Sequence, residues 1–275
     1  MTMDERLDSL VSAFQADSIA YKQIKVGSDR AEKRAMLRSL MNIRAPGMMD
    51  ESVLKTQNAY LRQRAAEKGI VTLQDIPTLR EKYGSPSAFA DTLSIWQGDI
   101  TRLDVDAIVN AANAHMLGCF RPMHNCIDNC IHTFAGIQLR AECDQKMQQL
   151  RLRYGTAYAQ PTAIPMLTDA YNLPAKKVIH VVGPIVSGSL TRALEQDLAA
   201  CYRNVLDMCL ENRLSSAAFC CISTGVFSFP NRRAAEIAVE TVTAWLADHP
   251  DTMERVIFNV FRDEDLDHYE ELLRP

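Results

Sequence analysis

Apolar positions over the first 70 residues recur at helical spacing. Leu7, Leu10, Val11 and Phe14 follow the i, i+3, i+4, i+7 rhythm of an amphipathic helix. Asp29 followed by Glu32 resembles a capping box, and it opens a run carrying Met36, Leu37, Leu40 and Met41 until Pro46-Gly47 breaks it. A third helix is predicted over 50–68, stopped by Gly69. From Leu93 onward the texture changes, and short β-rich runs alternate with longer helical ones. Strands are predicted at 93–96, 107–109, 178–182, 217–222 and 256–260, with helices at 128–150, 190–211, 232–247 and 265–273. Runs such as VIHVV and AAFCCI are apolar throughout, so their strands are expected to be buried on both faces, as in the central sheet of a three-layer α/β domain.

In sheets of that kind ligands sit beyond the carboxyl ends of the strands, on loops leading into helices. The turn at Gly84-Ser85-Pro86 is the best boundary between the two textures. We therefore expect a helical N-terminal extension over residues 1–90 and an α/β domain over 91–275.

Composition narrows the function classes. Of the 275 residues, 47% are hydrophobic and 23% charged, as in an ordinary globular protein, and the net charge of -4 argues against a nucleic-acid surface. No apolar run approaches the ~20 residues of a membrane helix, and MTMDERLDSL lacks the apolar core of a secretory signal, so a cytoplasmic protein is expected. All eight cysteines lie between Cys119 and Cys221, which does not suit the disulfide framework of a small secreted domain. Cys201, Cys209, Cys220 and Cys221 sit in apolar or helical runs and read as small buried hydrophobes.

Four segments following strands carry polar chemistry. Asp99, in Gln97-Gly98-Asp99-Ile100, is placed to accept hydrogen bonds from a purine amine or ribose hydroxyls, although a Gly-Asp pair is also a common turn. Asn110-Ala111-Ala112-Asn113 sets two amides among small residues, suiting either close backbone approach to a ligand or a hydrogen-bonded turn. In the third segment Cys119, His124 and Cys126 fall within eight residues ahead of a helix, and thiolate and imidazole are ligands zinc prefers. Three local ligands leave an open position as in catalytic zinc sites, while Cys130 or His115 would close it. Asp128 then stands where it would cap the helix or meet a ligand, and His132 lies one turn later, where a satisfied core histidine is the plainer reading. The fourth segment, Ser223-Thr224-Gly225-Val226-Phe227, is a small hydroxyl-rich loop between strand and helix, able to turn backbone N–H groups toward a pyrophosphate. It lacks the lysine of a P-loop.

In order and spacing, QGDIT, VDAIVNAAN, the loop leading to IDNCIH, HVVGP, ISTGVF and VIFNVFRDED resemble the macrodomain family across residues 93–275. That resemblance implies a three-layer α/β/α sandwich binding ADP-ribose. Where many hydrolytic macrodomains have a glycine-rich loop, this chain has GCFRPMHNCIDNCIH, which is similar to the zinc-dependent branch. The branch implies one zinc held by Cys119, His124 and Cys126, and a helical N-terminal extension is typical of it.

Carried over by position, Asp99 and Ile100 would contact the adenine end and Asn113 the distal ribose. Cys126, Ile127 and Asp128 would line the ribose and phosphate side, and Ser223, Thr224, Gly225, Val226 and Phe227 would wrap the pyrophosphate and distal ribose. Val226 departs from relatives that carry an acidic residue there. The implied activity is hydrolysis of mono-ADP-ribose from protein side chains, as esters at carboxylates, with Asn113 and Asp128 in catalytic roles. Relatives of this branch work beside a sirtuin-like ADP-ribosyltransferase and a lipoyl-carrier protein. The alternatives are a module that binds ADP-ribose without cleaving it, an O-acetyl-ADP-ribose deacetylase, and a purely structural zinc.

Overall fold

Thr2 accepts a hydrogen bond from Glu5 N while Glu5 Oε2 accepts one from Thr2 N, so a reciprocal capping box starts the first helix at the head of the chain. The computed structural model describes residues 1–275. In order, its elements begin with α1 (Met3–Asp17), α2 (Arg30–Ile43), α3 (Glu51–Lys68), β1 (Val71–Thr72), α4 (Leu79–Tyr83), β2 (Leu93–Gln97), β3 (Leu103–Asp104) and β4 (Ala107–Ala112). They continue with α5 (Ile127–Ala135), α6 (Ile137–Tyr154), β5 (Met166–Asp169), β6 (Lys177–Val182), α7 (Arg192–Glu211), β7 (Ser216–Phe219), α8 (Asn231–Asp248), β8 (Arg255–Val260) and α9 (Asp263–Leu273). Two units share this chain. A helical unit contains residues 1–69, 115–158 and 170–173, and a sheet unit contains the remainder.

In the helical unit, the residues chosen from periodicity form one core. Leu7, Leu10, Val11 and Phe14 of α1 meet Leu37, Leu40 and Met41 of α2, together with Tyr60 and Leu61 of α3 and Ile137 of α6. Asp29 caps the start of α2 by accepting from Ala31 N and Glu32 N, without the return bond from Glu32 that would complete the expected capping box, and Gly69 takes φ +83 after α3 as its expected stop. One prediction needs correcting. The single helix expected over 128–150 is two helices, divided at Gly136 (φ +97). A side chain there would meet Gln57 Nε2 at 2.8 Å, Gln138 Oε1 at 2.9 Å and Asn172 Nδ2 at 3.0 Å. This crowding of amides needs a residue without Cβ, and the positive φ ends α5.

The main sheet of the sheet unit has six strands in the order β2-β8-β7-β4-β6-β5, parallel throughout except for β5 against β6, while β1 and β3 pair separately. Ala107, Ile108 and Val109 of β4, Val178, Ile179 and Val181 of β6, and Val256 and Ile257 of β8 are all fully buried, as the unbroken apolar runs require. Helices α7, α8 and α9 pack in sequence on one another, α7 against β6 and α9 against β2 and β8. The fold is therefore of the expected α/β class, a mostly parallel sheet with flanking helices and α1–α3 ahead of it.

The strand predicted at 217–222 ends at Phe219, because Cys220–Ile222 already turn toward Ser223 at φ +66. Sequence periodicity missed β1, β3, β5 and α4, which at two to five residues are too short to show a period. Cys201, Cys209 and Cys220 are buried as expected and Cys221 is partly so, and all eight cysteines are free thiols. No helix is long and apolar enough to cross a membrane.

Candidate active site and metal centre

At the carboxyl ends of the parallel strands, the sheet unit gathers the loops singled out in the sequence. After β7 the backbone of Ser223 sits in the left-handed region at φ +66; the residue is 5% exposed, and its buried Oγ has no hydrogen-bond partner. A strained, buried, unsatisfied hydroxyl of this kind is characteristic of a binding loop. Opposite it lies Gly183 after β6, where an added Cβ would fall 2.1 Å from Ser223 Oγ. The two loops are stitched by Val186 N to Phe227 O at 2.9 Å, and the second is closed by Phe229 N to Ser223 O at 3.0 Å. Within it Thr224 donates through Oγ1 to Cys221 O, whereas the N–H groups of Gly225, Val226 and Phe227 donate to no backbone carbonyl. Gly225 and Val226 are exposed. These are backbone amides left without a carbonyl partner in a loop between strand and helix, the kind of donor that can receive an anion.

Beyond β2, Asp99 caps a short 3-10 turn, its Oδ1 accepting from Thr101 N at 3.0 Å and Thr101 Oγ1 at 2.6 Å. Ile100 beside it is buried. Asn259 of β8 ties this turn to the sheet through Trp96 O and Gly98 O. The two asparagines after β3 separate. Asn110 lies inside β4, fully buried, with Nδ2 3.0 Å from His180 Nδ1, and His180 Nε2 is 3.0 Å from Thr168 Oγ1. That asparagine belongs to the sheet's polar interior rather than to a ligand loop. Asn113 is the one that emerges, half-buried, just past the end of β4.

The helical unit contains the cysteine-rich loop. Ligand atoms of Cys119, His124 and Cys126 lie within 4.8 Å of one another, and Cys119 Sγ stands 3.6 Å from His124 Nδ1. Neither Cys130 nor His115 joins this group, so the closed four-ligand alternative is not formed. Around a tetrahedral zinc, a sulfur at about 2.3 Å and a nitrogen at about 2.0–2.1 Å stand about 3.6 Å apart, so the donor set fits that ion in both chemistry and spacing. Asn129, fully buried, donates through Nδ2 to Cys119 O and Arg121 O. Arg140 donates to Leu117 O at 2.8 Å, and its guanidinium lies 4.3 Å from the Phe120 ring centre. Gly118 (φ +79) admits no side chain, since a Cβ there would touch the His132 ring at 2.7 Å.

The helix start departs from expectation. Cys126, not Asp128, is the N-cap of α5, its Sγ accepting from Asn129 N at 3.4 Å. Asp128 lies within the first turn, 5% exposed, with Oδ1 3.6 Å from His132 Nε2. Ile127 opens the helix half-buried.

The Macro domain family pattern matches residues 109–238. A protein-ADP-ribose hydrolase of Treponema medium is 43% identical over 273 residues, covering 99% of this chain and 100% of that protein. This chain belongs to the macrodomain family. A probable bifunctional ADP-ribose hydrolase/ADP-ribosyltransferase of Fusarium oxysporum f. sp. cubense is 38% identical over the whole of this chain and 47% of its own length. Among solved structures, the Trypanosoma brucei macrodomain in complex with ADP-ribose superposes with a TM-score of 0.64 at 26% identity, covering 85% of this chain and 94% of that one.

Two features of this macrodomain escape a reading of its sequence. Phe261, immediately after β8, is 76% exposed, and its carbonyl accepts from Gln97 Nε2 on the strand that leads to Asp99. A large aromatic left in solvent at a strand's carboxyl end can stack on a flat ring; its position directly after VIFNV was the available signal. The second feature is the protonation of Cys126. Burial, followed by the nearby Cys119 and Asp128, pushes its thiol up to about 12 against the lowering effect of Asn129 N, so without a metal it stays a neutral thiol. A bound cation reverses that balance.

Proposed function

We propose that this macrodomain is a zinc-dependent protein-ADP-ribose hydrolase that removes mono-ADP-ribose from modified side chains, as esters at carboxylates. The reading rests first on the three-ligand cluster of Cys119, His124 and Cys126 with its 3.6 Å sulfur–nitrogen spacing. Three protein ligands leave one coordination position open, as a catalytic rather than a structural site requires. The 43% identical relative named protein-ADP-ribose hydrolase supports the substrate class.

In this reading Asp99 and Ile100 hold the adenine end, with Phe261 stacking on the base. The open amides of Gly225, Val226 and Phe227, with Ser223 and Thr224, receive the pyrophosphate. Val226 contributes its N–H, so the missing acidic side chain costs little. Asn113 hydrogen-bonds the distal ribose, and only five residues of chain separate it from Cys119. Cys119, His124 and Cys126 would hold a zinc, which would supply Lewis-acid chemistry when bound. Ile127 lines the ribose side. Asp128, buried at the positive end of α5 and next to His132, accepts a hydrogen bond from a ribose hydroxyl or from water and fixes its orientation.

The Fusarium relative, whose name joins hydrolase to ADP-ribosyltransferase, supports a paired enzyme as partner. We assign that role to a sirtuin-like ADP-ribosyltransferase acting on a lipoyl-carrier protein. The eight free thiols suit a cytoplasmic setting. The test is to incubate the enzyme with a carrier protein ester-linked to mono-ADP-ribose and to follow free ADP-ribose. Release with multiple turnovers is expected. Stoichiometric binding without release would make it a binding module instead.

A further inference from the structure

The N-terminal helices contain no residue assigned to ligand or metal above, yet α2 reaches the cysteine loop inside the helical unit. Arg38 donates through Nη2 to His124 O at 2.8 Å and to Asn129 Oδ1 at 3.1 Å. The same nitrogen lies 3.4 Å from Asn125 Oδ1 and 3.6 Å from Cys130 Sγ. One turn later Asn42, 1% exposed, accepts through Oδ1 from Met123 N at 3.0 Å and donates through Nδ2 to Thr133 Oγ1 at 2.8 Å. These bonds bracket one ligand. Asn42 takes the N–H of Met123 and Arg38 takes the carbonyl of His124, so the backbone on both sides of the imidazole is pinned to one helix. Met123 sits at φ +58, a conformation that a methionine adopts only when its surroundings impose it.

Two further contacts make this a built framework. Thr133 Oγ1 donates back to Asn129 O on α5, and Asn129 carries the amide that holds Cys119 O and Arg121 O. Arg140 gathers Met41 O, Asn42 O and Arg44 O at the end of α2 while also donating to Leu117 O at the loop's start. The last carbonyls of α2 are thus satisfied by a cation that also anchors the loop.

We infer that Arg38 and Asn42 are positioning residues of the metal centre: they hold His124 in its ligating geometry through the flanking backbone, at Met123 N and His124 O. This rests on the assignment of zinc to Cys119, His124 and Cys126. Because partners behind metal ligands fix ligand orientation, losing one typically costs 10–100-fold in metal affinity.

The experiment measures zinc affinity of the full chain by competition with a chromogenic chelator. It compares the native protein with Arg38→Ala, Arg38→Lys, Asn42→Ala, Cys126→Ser and Arg30→Ala. Arg30 is the control, since it lies on α2 and pairs only with Asp4 near the surface. Folding of each metal-free variant is checked by circular dichroism and melting. Zinc affinity should fall about 10–100-fold for Arg38→Ala and Asn42→Ala, with Arg38→Lys intermediate and Arg30→Ala unchanged. The added zinc should also raise the melting temperature less in the weakened variants. If Arg38→Ala does not fold, Arg38→Lys and Asn42→Ala decide. Folded variants of Arg38 and Asn42 that bind zinc within about twofold of the native protein overturn the inference alone. A native protein that binds zinc no better than Cys126→Ser overturns the metal assignment, and this inference with it.

Discussion

In the sheet unit the candidate ligand contacts stand past the carboxyl ends of buried strands and lean in part on their own neighbours in sequence. Asp99 is held by Thr101, and Thr224 is held by Cys221. In the helical unit the cysteine loop takes its shape from side chains far away along the chain. Arg38 and Asn42 reach it across more than 80 residues, and Arg140 joins it to the end of α2. A strand-end loop inherits its position from the sheet, where the backbone is already fixed. A loop between a strand and a helix with three soft ligands has no such scaffold and is preorganised by a helical bundle. On our account the first region binds the nucleotide and the second supplies the chemistry, so perturbations should separate binding from turnover.

The largest effect is expected from the metal ligands. Cys126→Ala should lower release of ADP-ribose by about 10³-fold or more, since a metal stabilises developing charge by several kcal/mol. Affinity for free ADP-ribose, measured calorimetrically, should stay within about tenfold. If binding falls as far as turnover, the division between regions is wrong. Gly183→Ala is the converse case. Its Cβ would stand 2.1 Å from Ser223 Oγ, so the anion loop must shift, and ADP-ribose affinity should fall roughly 10–100-fold, the loss of about 1.5–3 kcal/mol that a hydrogen bond to a charged group contributes. Zinc content should not change.

Acid titration separates the regions in a third way. Asp106 accepts from Lys176 Nζ, Ser215 N and Oγ, and Ser216 N, and these bonds outweigh burial to lower its pKa to about 2. A carboxylate with a depressed folded pKa contributes stability that is present above its unfolded value, near 3.8, and lost as pH falls toward 2. Asp106→Asn should therefore cost the sheet unit about 1–2 kcal/mol at neutral pH and little near pH 2. Zinc should leave at higher pH than that window, because its thiolate and imidazole ligands must be deprotonated to bind. Metal release and loss of sheet structure should thus appear as two steps when followed by chelator colour and far-ultraviolet dichroism. The smallest effect belongs to Val226, which is 78% exposed: Val226→Ala should change ADP-ribose affinity by less than about twofold if only its N–H is used.

What could be read from residues alone follows the same contrast. The α/β class, the burial of β4, β6 and β8, and the loops after β2, β4 and β7 were legible because period and strand-end chemistry are local signals. So was the Cys119, His124 and Cys126 trio, whose members lie within eight residues. The break at Gly136 was not legible, because it depends on Gln57 and Asn172 crowding that backbone from distant parts of the chain. Asn110 looked equivalent to Asn113 until pairing in the sheet set it opposite His180. Asp128 looked like the helix cap, yet Cys126 took that place because its sulfur already turns back toward Asn129 N. The reach of α2 to the loop could not be seen, since a single arginine in an amphipathic helix reads as solvated surface.

We hold that zinc bound by Cys119, His124 and Cys126 is required for release of ADP-ribose. The direct measurement is ADP-ribose release from a modified carrier protein by one preparation, assayed demetallated and after return of one equivalent of zinc. We predict that the demetallated protein keeps ADP-ribose binding within about tenfold but loses release by about 10³-fold, and that zinc restores it. Full turnover without metal would contradict the account.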